Sequence, residues 1–299
     1  MRLGIGLPHQ RADGTSFTSD EVMARARAIE AAGFDGIWVP DSIGRLQTPR
    51  PDPLMWLLLA GAATRRVELG TAILQVPLRR TVELAQRLLT LHAVTRGRFV
   101  AGLGAGSTVA DFNALGVDYE ARFKTLADAL PRMKRLFRGE EVDGASLHPW
   151  PDALGGPPIV IGSWESGPWL VRAAREYDGW MASGGMTSFT ALATGIKRYR
   201  DAGGKRAMVG TIDVDLSAPS AVLDDNDRFH LRCGPEEAAH RLQRLVELGY
   251  DDALLRPRIP REQERPRHHN EGDPTDEELR AIRALVPVEA GAQPSQALV

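Results

Sequence analysis

Apolar positions recur along this chain at two periods, and the two periods alternate. Short apolar runs of strand length fall at residues 3–7, 36–39, 67–74, 98–103, 158–161, 179–182, 207–216 and 252–255. Between them the apolar residues are spaced by three and four, the signature of one helix face. The stretch 67–107 shows the unit in full. Val67 to Leu74 is β-branched and apolar, and Pro77 closes it, because proline neither continues a central strand nor sits inside a helix. Thr81 to Val94 then places Val82, Ala85, Leu88, Leu89 and Leu91 on one face. Arg98 to Leu103 is a second strand, running into Gly102-Leu103-Gly104-Ala105-Gly106. Such small residues at a strand's C-terminal end let something large and flat approach the backbone.

Helix signals fit the same frame. Thr18 to Glu21 reads as a capping box for a helix reaching about Ala32, with Gly33 as its stop. An apolar helix ends near Ala63 after the loop holding Pro49, Pro51 and Pro53. Further helices are predicted over 111–115, over 122–137 with a kink at Pro131, from Pro168, over 190–202, over 235–248, and from the capping box Thr275–Glu278 to about Val286. Segment 140–157 reads as irregular and 256–274 as a charged, proline-rich loop. One pattern repeats: helix end, aromatic, acid, strand. It appears at Phe34-Asp35, Tyr177-Asp178 and Tyr250-Asp251. Repeated αβ units in one sheet predict an α/β chain of one domain over 1–286, a (β/α)8 TIM barrel, with 287–299 as a disordered tail. A doubly wound open sheet is disfavoured, since no GxGxxG with a following acid opens the chain.

Composition narrows the partners. A net charge of −2 gives no reason to expect nucleic acid or an anionic membrane. The single cysteine, Cys233, excludes an internal disulfide framework, suits a reducing cytosol, and reads as a structural thiol. The longest apolar run, Leu54 to Ala63, is about half a membrane span. The chain opens on a strand with no signal-peptide pattern. A soluble cytoplasmic protein is expected.

In a barrel the chemistry lies at the C-terminal ends of the strands. The residues there include His9, Asp41, Ser42, Thr71 to Leu74, Gly104 to Ser107, Gly162 to Gly167 and Ser183 to Gly185. The four lysines fall on helices or helix ends, which argues against a Schiff-base enzyme. HxH, HExxH, CxxC and GxSxG do not occur, and His268-His269 sits in the charged loop, so no metal site is expected. What remains is a floor of small residues and two Ser/Gly turns, Ser166-Gly167-Pro168 and Ser183-Gly184-Gly185. Each can offer backbone N–H groups to a phosphate at a helix N-terminus. A phosphate anchor beside a flat floor suggests a flavin-like cofactor that carries the chemistry. Arg79 and Arg80 read as a solvated turn in preference to contacts for an anionic cofactor tail or a substrate. His9 serves equally as a proton-transfer group or a loop-bracing one, and Asp41 as a proton-transfer group or a positioner of backbone N–H groups.

The chain resembles the bacterial luciferase-like family of flavin and deazaflavin oxidoreductases over roughly 1–285. The motifs that carry the resemblance are GFDGIWVPDS (33–42), VELGTAIL (67–74), GRFVAGLGAGS (97–107), DFNALGVDYEARF (111–123), PPIVIGS (157–163) and YDGWMASG (177–184). Within the family it is most similar to the probable F-420-dependent oxidoreductases. The resemblance implies a TIM barrel with the cofactor at the strands' C-terminal ends. It also implies a non-prolyl cis peptide at Ala72-Ile73 that bulges against the cofactor ring, with Gly104 to Ser107 beside it; Ser42 and Thr71 are counted with the cofactor-binding residues. The phosphate maps onto Ser166, Gly167, Ser183, Gly184, Gly185 and Met186, and Gly162 is counted with the cofactor-binding residues. Two departures matter: Ser42 stands where deazaflavin members often carry His, and Ser107 where some carry Glu, so those relatives' proton-transfer groups are not carried over.

The expected activity is hydride transfer between coenzyme F-420 and a small organic substrate, with His9 and Asp41 nearest for proton transfer. One alternative is an FMN-dependent monooxygenase fed by a partner flavin reductase. Another is a non-catalytic flavin-binding barrel. A homodimer fits any of the three. Substrate choice is expected to lie in loops 44–53, 140–157 and 256–274.

Overall fold

The computed structural model describes residues 1–11, 13–43, 50–258 and 272–287. The expectations for His268-His269, for most of loops 44–53 and 256–274, and for the tail beyond residue 287 lie outside the described residues. Ten strands occur among the described residues: β1 (Arg2–Gly6), β2 (Gly36–Val39), β3 (Glu68–Thr71), β4 (Leu74–Gln75), β5 (Phe99–Gly104), β6 (Ile159–Gly162), β7 (Gly179–Ser183), β8 (Arg206–Asp215), β9 (Leu231–Arg232) and β10 (Asp252–Pro257). The sheet runs β10-β1-β2-β3-β5-β6-β7-β8-β9, and β10 also pairs with β8, which closes the barrel. With β3 and β4 counted as one broken stave and β9 as an extension of the β8 edge, the barrel has eight parallel staves, as expected.

The helices are α1 (Ser19–Ala31), α2 (Pro53–Ala63), α3 (Thr81–Val94), α4 (Val109–Leu115), α5 (Arg122–Phe137), α6 (Pro168–Glu176), α7 (Phe189–Asp201), α8 (Pro235–Leu248) and α9 (Asp276–Arg283). Both expected capping boxes form, at Thr18–Glu21 and Thr275–Glu278. Helix α5 continues through Pro131 as one element.

The run 67–74 is not one continuous strand. It breaks at the cis peptide Ala72-Ile73. Gly70 pairs with Val100 and Leu74 with Leu103, so four steps on this strand oppose three on β5. That extra residue is a bulge, which re-aims side chains at the barrel rim.

Each strand is buried on both sides, as parallel barrel strands must be. In β2, Ile37 and Val39 join the layer under the helices, whereas Trp38 joins Val100, Val160, Met181, Met208 and Leu254 inside the barrel. The repeated aromatic-acid pattern has a physical cause. Asp35 accepts the Leu3 N–H at 2.8 Å, Asp178 accepts that of Ile159 at 2.7 Å, and Asp251 accepts that of Ala207 at 2.7 Å. Each acid's own N–H donates back to the carbonyl of the same residue. Three adjacent stave pairs are thus clasped at their N-terminal ends by one repeated device.

Glu30, in the last turn of α1, holds the entry to β3. Its Oε1 accepts the N–H groups of Arg65 (2.9 Å), Arg66 (2.6 Å) and Val67 (3.1 Å). Partial burial opposes its charge, but these bonds prevail and hold the carboxyl below its ordinary 4.5. Glu30→Gln is therefore expected to lower stability by about 1 kcal/mol at neutral pH, as read by urea melts. A depressed carboxyl contributes stability that is complete above its unfolded pKa and is lost as pH falls through the folded one. The gap between wild type and variant should therefore narrow progressively below about pH 4.5. A gap that persists undiminished at about pH 3 would remove the charge as its source.

Candidate active site

At the C-terminal mouth of the barrel lies an open cavity. Its floor and walls are glycine and apolar side chains, among them Gly6, Leu7, Trp38, Ala72 and Leu254, with Thr211 and Arg256 as polar members. Of the residues named from sequence, Ala72 lines this space. Pro8, beside His9, and Pro40, beside Asp41, line it as well.

The remaining candidates fall into groups around that mouth. His9 is buried, with its Nδ1 3.4 Å from Nη1 of Arg50. Arginine can only donate, so a hydrogen bond in this contact has Nδ1 as its acceptor. Asp41 is 1% exposed at its side chain and accepts three bonds: Gln75 N–H at 2.9 Å, and Arg79 Nη1 and Nη2 at 2.6 and 2.9 Å. Arg79, 12% exposed, is therefore not the solvated turn residue that the sequence suggests. A fork-to-carboxylate pair of this kind fixes geometry as well as charge. Arg79 is drawn inward because Asp41 needs a counter-charge at the end of β2.

Behind this pair sits Asp111, fully buried at the start of α4. It accepts Gln75 Nε2 at 2.7 Å, Ile43 N–H at 3.2 Å, and the Ser42 hydroxyl at 3.4 Å. Ser42 is thus held by α4. Ser107 meets the same neighbourhood through its carbonyl, which accepts the Tyr119 hydroxyl at 3.5 Å.

The small-residue strand ends serve side chains of this chain. Thr71 donates to the Gly102 carbonyl at 2.7 Å. A Cβ on Gly104 would stand 2.1 Å from Ile73 Cδ1, and one on Gly162 would stand 2.6 Å from Ile73 Cγ2. Both glycines make room for Ile73, which the bulge turns onto β5 and β6. Gly106 has φ 81° and a Cβ there would meet Gln75 Oε1 at 2.4 Å, so both its backbone and its neighbours require glycine.

The two Ser/Gly turns differ from each other. Gly167 is the N-cap of α6 with no side-chain cap bond, and Ser166 beside it is exposed. Ser183 ends β7, and Gly184–Met186 form a 3-10 turn. Helix α7 starts later and is capped by Ser188, whose hydroxyl accepts the Ala191 N–H at 3.2 Å. The second turn therefore does not open directly into a helix. It packs on β8 instead: the Ser183 and Thr211 hydroxyls lie 3.1 Å apart, and a Cβ on Gly185 would lie 2.6 Å from the Thr211 carbonyl oxygen and 3.7 Å from Nη2 of Arg256. Thr211 adopts φ 56°, the left-handed region that side chains rarely enter. Arg256 is oriented by Asp213, with Nε to Oδ1 at 2.7 Å.

Sequence reasoning did not single out Gln75, Asp111, Thr211 or Arg256. Asp111 lay inside a quoted motif, but nothing local marked its carboxylate as buried. Thr211 and Arg256 gave no signal, because a bulge and a strand-end register brought them to the mouth.

Fold and site define a TIM barrel with a largely apolar, glycine-edged cavity at the C-terminal mouth of its strands. The chain belongs to the luciferase-like monooxygenase family, whose model matches residues 1–286. It is 30% identical to an F-420-dependent glucose-6-phosphate dehydrogenase of Nakamurella multipartita, over 92% of this chain and 86% of that one. It is 28% identical to a 4-hydroxyprotoasukamycin monooxygenase of Streptomyces nodosus subsp. asukaensis, over 51% of this chain and 43% of that protein's length. Its fold matches the monooxygenase RslO1 from Streptomyces bottropensis with a TM-score of 0.75 at 19% identity, over 95% of this chain and 97% of that one. Among the described residues no helix is long and apolar enough to cross a membrane, and no group of three or more His, Cys, Asp or Glu is arranged to hold a metal.

Proposed function

We propose that this protein transfers a hydride between coenzyme F-420 and a small organic substrate. The observation that carries the reading is the composition of the cavity: an apolar, glycine-edged mouth whose polar members, Thr211 and Arg256, adjoin the Gly184–Met186 turn. Such a site grips a flat ring and an anion, and it draws its redox chemistry from the bound group. The F-420-dependent relative, matched over nearly the whole of both chains, favours the deazaflavin.

In this reading the residues divide the work. Trp38 and Ala72 form the bed for the ring, and Ile73, Gly104 and Gly162 hold Ala72 in place. Ser183, Thr211, Arg256 and the N–H groups of the Gly184–Met186 turn take the phosphate, with Ser166, Gly167 and the uncapped start of α6 beside them. When bound, coenzyme F-420 supplies the hydride chemistry. His9 moves the proton. Asp41 positions the segment after the bulge, because its carboxylate bonds to Gln75 and Arg79. Ser42, Gly106 and Ser107 border the same mouth, and Thr71 anchors β3. The lone buried Cys233 suits a reducing cytoplasm.

A second reading, an FMN-dependent monooxygenase supplied by a separate reductase, is supported by the family's own description and by the Streptomyces relative. Equilibrium titration with F-420 and with FMN separates the two. Tight F-420 binding without FMN binding supports the first, and the reverse supports the second.

A further inference from the structure

Three glycines on three adjacent strands are cut to the outline of one side chain. A Cβ on Gly4 of β1 would stand 2.7 Å from Trp38 Cδ1 and Nε1 and 2.6 Å from Leu254 Cδ2, and one on Gly36 of β2 would stand 2.7 Å from Trp38 Nε1. One on Gly70 of β3 would stand 2.1 Å from Cζ3, 2.3 Å from Cε3 and 2.6 Å from Cη2. The five-membered edge of the indole thus rests over Gly4 and Gly36, and the six-membered ring over Gly70. Real Cβ atoms do not approach so closely, and a rigid indole cannot fold its end aside. Trp38 is 2% exposed and lines the cavity.

We propose that Trp38 is the ligand-contact residue that sets the depth of the cavity, and that Gly70, with Gly4 and Gly36, is a positioning residue that holds the indole low. Met181 on β7 and Met208 on β8, across the barrel, and Leu254 on β10 belong to the same buried cluster, so the indole's way out is toward the mouth. Any side chain added at Gly70 raises the floor on which the bound ring lies. The inference rests on the reading that a flavin-like ring occupies this mouth, and it adds the residues that fix where the ring sits.

The test is equilibrium titration of the full chain with F-420 and with FMN, alongside circular dichroism and thermal melts. Wild type binds one of the two. Gly70→Ala is expected to weaken that binding roughly tenfold or more, the size of an overpacking clash expressed as affinity. The double variant Trp38→Phe/Gly70→Ala should recover to within about threefold of wild type, because phenylalanine lacks the ring atoms that the new methyl meets. A purely structural glycine would lower the melting temperature and leave the affinity of the folded protein unchanged, and that result overturns the inference alone. Should Gly70→Ala not fold, Trp38→Phe decides: about fivefold weaker binding supports the inference and unchanged binding overturns it. Failure of wild type to bind either cofactor overturns the functional reading and the inference with it.

Discussion

Asp41→Asn is expected to weaken cofactor binding about tenfold and to cost about 3 kcal/mol of stability. Asparagine offers one acceptor oxygen where aspartate serves three donors, and its amide nitrogen points a donor at a guanidinium. Arg79 is left 12% exposed without its counter-charge. Removing one member of a buried pair strands the other, and that is the larger part of the cost. The binding loss has a separate cause. Asp41 ties the end of β2 to Gln75, directly after the bulge that carries the cavity-lining Ala72. With the tie cut, that wall is no longer fixed. Arg79→Lys should show an intermediate loss, since lysine keeps the charge and gives up the fork. Titration and urea melts on the same samples check both effects. Lower stability with unchanged affinity would leave Asp41 no part in shaping the mouth.

Arg206→Met is expected to cost about 3–5 kcal/mol, lowering the melting temperature by roughly 8 °C, while leaving cofactor affinity unchanged. Arg206 closes the opposite end of the barrel. It donates to both carboxylate oxygens of Asp252 at 2.9 and 2.8 Å and to both of Glu68 at 3.1 and 2.7 Å. The side chains of Asp252 and Glu68 are only 5% and 16% exposed. Burial opposes the charge on Arg206, yet its hydrogen bonds to Asp252 and Glu68 outweigh it and raise its pKa above the ordinary value. Burial likewise raises the Asp252 carboxyl, with Arg206 pulling the other way. Without the guanidinium, two carboxylates would face each other across the barrel floor, and Arg2, 43% exposed, reaches them only from outside. Replacing the whole cluster with apolar residues should be milder than removing Arg206 alone. Calorimetry together with cofactor titration is the check. A variant as stable as wild type would show that solvent reaches the cluster.

These two sites differ in how far they could be read from the chain. The barrel was legible because its cause is local: apolar periodicity, capping residues and the repeated aromatic-acid step each act within one αβ unit. The repeat was visible before its purpose was, since only the assembled staves bring Asp35 to Leu3 or Asp251 to Ala207. The glycines at the strand ends were legible as a need for space. What fills that space was not, because Ile73 and Trp38 reach Gly104, Gly162 and Gly70 across strands. Arg79 read as solvated for the same reason: its partner lies thirty-eight residues earlier. Asp111 was hidden by its type, since a carboxylate opening a short helix is ordinarily an exposed one. Thr211 depends on a left-handed backbone that no threonine announces.

The central claim is that the mouth of this barrel holds a deazaflavin. Its most direct test is equilibrium titration of the purified chain with coenzyme F-420 and, separately, with FMN. F-420 binding in the low micromolar range or tighter, with FMN at least about a hundredfold weaker, is the predicted result. Tight FMN binding without F-420 binding, or binding of neither, would contradict it.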